Sequence, residues 1–159
     1  MSAMDPKPLE LSLTCWTEGQ GGASTENPSW STIEGQIESV FESGGNVELS
    51  AVRRVFEPQE SLLMLETISM LAKPGGFRLV VTPARVAGQR KSNQREWWEE
   101  GDTAYRGLDR FRGHDWDSRT ICADVGIAKW FFKEFFDNRG VTRAIVDRTL
   151  SVWDAKPRA

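Results

Sequence analysis

The sequence predicts an α+β domain: an antiparallel or mixed β-sheet packed by two main helices. Three observations lead there. Several short segments alternate apolar and polar residues with a period of two, two segments carry apolar residues at helical spacing, and the strand-like segments follow one another instead of alternating with helices. Strict strand–helix alternation is what a doubly wound parallel sheet requires, so that architecture is set aside.

The elements follow in chain order. Leu9–Trp16 places Leu9, Leu11, Leu13 and Cys15 on one side and Glu10, Ser12 and Thr14 on the other, the pattern of a half-buried strand. Residues 18–28 are rich in Gly, Ser, Thr and Asn and read as a loop. A helix follows, capped by Ser29 or Ser31, with Ser31 and Glu34 spaced as a capping box. Trp30, Ile33, Ile37, Val40 and Phe41 form its apolar stripe, and Ser43-Gly44-Gly45-Asn46 stops it. Val47, Leu49 and Ala51 begin a second strand, which Arg53, Arg54 and Glu57-Pro58 interrupt. Leu62–Leu71 and Phe77–Thr82 are strands three and four, and Lys73-Pro74-Gly75-Gly76 joins them as a hairpin. Residues 84–95 are polar and basic, with Arg85, Arg90 and Lys91, and read as a mobile loop. A short strand is expected near Thr103–Leu108, and another over Trp116–Cys122 with Trp116, Ser118, Thr120 and Cys122 on one face. Asp124 caps a second helix in which Ile127, Ala128, Trp130, Phe131, Phe132, Phe135 and Phe136 cover more than half the circumference, and Gly140 ends it. The tail from Thr142 to Trp153 reads as a short turn followed by a strand.

Bulk composition bounds the function. A chain of 159 residues suits one domain, 1–159, with a polar and flexible Met1–Pro8 start. Twenty basic against 23 acidic residues give a net charge of -3, without the basic excess a dedicated nucleic-acid binder uses. No apolar run is long enough for a membrane span or a signal peptide core, so the expected location is the cytoplasm. Cys15 and Cys122 sit in apolar runs and read as two buried thiols, not a disulfide framework.

The search for chemistry yields little. One histidine, His114, lies in the polar stretch Arg110–Asp117 and reads as an exposed loop residue. One histidine and two distant cysteines make no metal site, and no cofactor is expected. The acids Glu99, Glu100 and Asp102, and Asp109, Asp115 and Asp117, match no calcium loop and read as solvated faces. The Gly-Gly pairs at 21–22, 44–45 and 75–76 match no phosphate loop; the first precedes a helix N-terminus and reads as a flexible loop with Trp30 as its anchor. Trp97-Trp98 beside Glu99-Glu100 stands out: in an extended chain the two indoles point to opposite sides, one buried and one exposed or covered. The functional reading is an aromatic–acidic patch that receives a partner.

Three segments together carry a resemblance. They are Gly21-Gly22 to Asn27-Pro28-x-Trp30 leading into Ile33-Glu34, then Trp97-Trp98, then Cys122-Ala123-Asp124 opening the helix with Phe131-Phe132-x-x-Phe135-Phe136. This pattern resembles the immunity proteins of polymorphic toxins, small bacterial α+β proteins linked to contact-dependent and type VI toxin systems. The acidic stretch Glu99–Asp109 and the tail depart from it. The resemblance implies a protein without enzymatic residues that inhibits a cognate toxin by binding it. If that toxin is a nuclease or deaminase, an acidic patch can mimic phosphates. The partner-binding residues expected are Trp97, Trp98, Glu99, Glu100, Asp102, Arg110, His114 and Asp115. Two other classes are kept: a small carboxylate enzyme using His114, Asp115 and Asp117 in a tryptophan-lined cleft, and an adaptor that self-associates through the Phe-rich helix.

Overall fold

The alternation in the first strand decides which way the sheet faces. In β1 (Glu10–Thr17), Leu11, Leu13 and Cys15 are buried while Thr14 and Trp16 are exposed. The computed structural model describes residues 9–55, 61–84 and 93–158. The Met1–Pro8 segment, the Glu57-Pro58 break and Arg85, Arg90 and Lys91 lie outside the described residues.

Beside β1 run β2 (Gly21–Glu26), β3 (Gly45–Val55), β4 (Ser61–Lys73), β5 (Gly76–Thr82), β6 (Arg95–Trp97) and, near the C-terminus, β9 (Thr149–Ser151). They form one seven-stranded sheet in the order β2-β1-β3-β4-β5-β6-β9, and every pairing is antiparallel. The α+β expectation is therefore met. The register lines up one face. Leu13, Leu49, Ile68 and Val81 are successive cross-strand partners, as are Cys15, Val47, Met70 and Leu79. The expected β4–β5 hairpin is present: Lys73 pairs with Gly76, and Gly75 takes φ 77, the positive angle that a Pro-Gly turn of this kind demands of its second central residue.

Helices α1 (Trp30–Ser43) and α2 (Val125–Asn138) cover the apolar face. Ile33, Ile37 and Val40 of α1 and Ala128, Phe131, Phe132 and Phe135 of α2 join the strand residues in a single core. Lys129 of α2 ties the helices together from outside by its ion pair with Glu38 at 2.5 Å. Where α1 hands over to β3, Gly45 passes so close to β1 that a Cβ would stand 2.0 Å from the Trp16 carbonyl oxygen, and its φ is 137. Only glycine fits both demands.

The other face carries a small second layer. Strands β7 (Leu108–Phe111) and β8 (His114–Asp117) form a hairpin that lies over it. Trp116 covers the guanidinium of Arg78 on β5, 3.5 Å from the ring centroid, and Arg78 is ion-paired to Glu96 on β6. Arg112 donates to the Asn46 side chain at the start of β3, and Lys73 lies over the buried Phe111 ring. No helix among the described residues is long and apolar enough to cross a membrane.

Four expectations are corrected. The loop over residues 18–28 contains β2, which the sequence conceals because all six of its residues are exposed and no apolar alternation marks it. Its backbone ladder with β1 holds it as an edge strand. The strand expected near Thr103–Leu108 does not form; strand structure begins only at Leu108. The strand expected over Trp116–Cys122 stops at Asp117 and gives way to a 3-10 turn, Ser118–Thr120. The Asp117 carboxylate accepts from the Arg119 backbone N–H at 3.0 Å, a local bond that competes with the ladder. Residues 84–95 end in strand, since Arg95 opens β6.

Smaller shifts concern the helix ends. Ser29, not Ser31, caps α1, accepting from Thr32 N–H at 3.2 Å. Asp124 caps α2 as expected, accepting from Gly126 N–H at 2.9 Å. That helix ends on Arg139 in the left-handed conformation. Gly140 follows because a Cβ there would meet Glu66 Oε1 at 2.8 Å. The tail forms a short helix, α3 (Arg143–Asp147), before β9.

Candidate partner-binding site

Where β6 ends, the chain leaves the sheet and builds one wall of an open cleft of about 820 Å³. Trp97, Ile121, Cys122 and Ile127 supply the apolar part of its lining. Glu99, Glu100, Asp109 and Asp124, with Arg106 and Arg148, supply the charges. Asp124 and Ile127 come from the start of α2, and Arg148 from the residue after α3.

The charges are held in place by the protein itself. Arg106 grips Glu99 with two hydrogen bonds, at 2.7 and 3.2 Å. Arg148 donates to Glu100 at 2.9 Å while its guanidinium lies 4.4 Å from the Trp130 ring centroid. The hydrogen bond from Arg106 lowers the Glu99 carboxyl below its ordinary range. A strap from the C-terminal side fixes the backbone: Lys156 Nζ donates to the carbonyls of Glu99 at 2.6 Å and Gly101 at 3.0 Å. Asp109 makes no ion pair with a described residue.

The residues expected from the sequence divide into three groups. Glu99 and Glu100 stand on the rim of the cleft, and Asp102 is exposed in the turn beyond them. Arg110 and Asp115 face each other across the β7–β8 hairpin at 3.5 Å, with exposed His114 beside them, its ring 6.4 Å from that of Trp116. Trp97 and Trp98 are corrected: they are 5% and 6% exposed, so neither indole presents a surface to a partner. Extended alternation ends at Trp97, and Trp98 turns in under the guanidinium of Arg119, 5.4 Å from its ring. The indoles form the foundation of the site, not its contact face.

Sequence reasoning missed the site roles of Arg106, Arg148, Asp109, Ile121 and Ile127. The arginines carried no signal, because Arg106 lies in the segment expected to be a short strand and Arg148 in the tail, far in sequence from the acids it joins. Asp124 was read only as a helix cap, and it is also part of the rim.

The groups of the carboxylate-enzyme reading do not converge. Asp117 is buried against Arg119, which donates to it at 2.8 Å, whereas His114 and Asp115 are exposed on the hairpin. None of the three lines the cleft. Among the described residues no group of three or more His, Cys, Asp or Glu is placed to hold a metal ion. Burial pushes the Cys122 thiol up to about 11, so it is no thiolate at neutral pH. The Phe-rich helix is also spent: Phe131, Phe132 and Phe135 are fully buried, and Trp30 packs on Phe136 with ring centroids 5.9 Å apart.

A crystal structure of a hypothetical protein from Neisseria gonorrhoeae has a similar fold. The TM-score is 0.60 at 10% identity, over 90% of this chain and 97% of that one, a likeness of fold alone. No curated protein matches. A family model matches residues 12–145, from β1 through the buried Ile145 of α3, and the chain belongs to that family, a family of unknown function (DUF6911).

Proposed function

We propose that this protein is a non-enzymatic binder that neutralises a cognate bacterial toxin in the manner of an immunity protein. One observation carries the reading: a charged cleft rim whose Glu99 and Glu100 are fixed in advance by internal ion pairs, beside a hairpin clamped to the sheet through Trp116, Phe111 and Arg112. A surface ordered before association loses less side-chain freedom on binding, which favours tight complexes. Leu108, 43% exposed on β7, supplies an apolar contact there, and the exposed Asp109, Arg110, His114 and Asp115 lie along the same hairpin. Charges in such a position steer encounter and fix register more than they add affinity. The resemblance to immunity proteins supplies the toxin as partner.

The test uses the protein encoded beside this gene. Cells expressing that neighbour are expected to stop growing and to recover when this chain is co-expressed. In calorimetry, Leu108→Asp combined with Arg110→Glu is expected to weaken the complex by roughly 30-fold, the loss of one good anchor. Absence of both toxicity and binding sinks the function. Binding that ignores the double variant sinks the placement.

A further inference from the structure

The chemistry of the cleft narrows what the partner brings to it. This step rests on the proposal that the surface meets a protein. We infer that the cleft takes a long-stemmed cationic side chain of the partner, a lysine or an arginine.

Charge favours a cation. Glu99 and Glu100 are matched by Arg106 and Arg148, while Asp109 and Asp124 have no ion partner among the described residues. Four carboxylates against two guanidiniums and the Lys156 ammonium, which sits on the Glu99 and Gly101 carbonyls, leave one negative charge in excess at the mouth. An anion would face that excess, and the positive end of α2 that could otherwise attract it is already capped by Asp124.

Shape favours a long stem. The acids are too scattered to hold a bare metal ion. The apolar lining gives no reward to a small hydrated cation. A side chain with three or four methylenes satisfies both parts, its stem against Ile121 and Ile127 and its head among the acids. A third observation is independent of charge. Trp97 lines this cleft and is 95% buried by the converse of its 5% exposure, yet its indole Nε1–H has no hydrogen-bond acceptor. A buried donor left open is a group that a ligand or an ordered water completes.

The test needs no toxin. The full chain, labelled with nitrogen-15, is titrated by NMR with Nα-acetyl-arginine amide, Nα-acetyl-lysine amide, the uncharged Nα-acetyl-citrulline amide, sodium acetate and spermidine. At least one of the two basic amides is expected to move the Trp97 indole signal and the Ile121 and Ile127 amides saturably, with citrulline amide at least fivefold weaker. Asp109→Asn, an exposed site, is expected to weaken that binding by roughly fivefold, as the loss of an exposed ion pair does. Equal effects of arginine and citrulline amides, a response to acetate instead, saturation by spermidine alone, or no saturable shift at these residues would each overturn the inference. Probe binding without any toxin partner would leave the cleft chemistry standing and remove only the proposed function.

Discussion

Truncating Glu96 to alanine tests whether the second layer of the sheet is held by a buried charge. The Arg78 and Glu96 side chains are 6% and 14% exposed, and Trp116 seals the guanidinium from above. Arg78 Nε has no hydrogen-bond partner, so the guanidinium is already incompletely satisfied. Glu96→Ala strands that cation, and breaking a buried pair from one side costs about 3–5 kcal/mol. At about 2–4 °C per kcal/mol for a chain of this length, the lower bound corresponds to a melting point lower by roughly 6–12 °C. The companion variant, Arg78→Met with Glu96→Leu, behaves differently. Burial raises the Glu96 carboxyl above its ordinary range even though Arg78 pulls it down, so desolvation outweighs attraction in this pair. Replacing both charges with apolar side chains is therefore expected to leave stability unchanged or to raise it by about 1–4 kcal/mol. Guanidinium denaturation followed by tryptophan fluorescence measures both, compared at equal m-values. A cost below about 1 kcal/mol for Glu96→Ala, or a double variant as unstable as the single one, refutes the reasoning.

Four further outcomes are expected. Gly45→Ala, with its Cβ driven to 2.0 Å from the Trp16 carbonyl, destabilises by upward of roughly 3 kcal/mol or abolishes soluble expression. Gly35→Ala on the exposed side of α1, where a Cβ meets nothing within 4 Å, stabilises by about 1 kcal/mol in the same denaturation assay. Hydrogen bonds from Arg119 hold the Asp117 carboxyl below its ordinary value, so its contribution is present above the usual aspartate range and fades as pH falls through the lowered value. The stability gap between wild type and Asp117→Asn, measured by denaturant titration across pH, accordingly narrows on acidification. Cys15 and Cys122 are buried with raised thiol pKa values, so a colourless-to-yellow disulfide reagent reacts slowly with native protein and rapidly once denaturant unfolds it.

Local chemistry was legible where one segment settles its own structure. The Pro74-Gly75 turn, the Asp124 cap and the apolar stripes of α1 and α2 each need only neighbours a few residues away. β2 was not legible because hydrophobic patterning reports burial, and an edge strand exposed on both faces has none to report. Trp98 misled for a related reason: alternation predicts facing only while the chain stays extended, and β6 ends one residue earlier. In the site, the acids Glu99 and Glu100 were visible as a cluster. Their partners lie 7 and 48 residues away, at separations no local pattern encodes. A charge run that looks solvated in one dimension is half-neutralised in three.

The strap from Lys156 also sets a schedule. A nascent chain emerges from its N-terminal end, so the central strands can pair while the tail is still being made. The cleft rim cannot be completed then, because Arg148 anchors Glu100 and Lys156 anchors the backbone at Glu99 and Gly101. Whatever this surface captures, the growing chain has no finished rim to offer until synthesis has passed residue 156. Recognition is thereby deferred until the segment carrying Lys156 has been made.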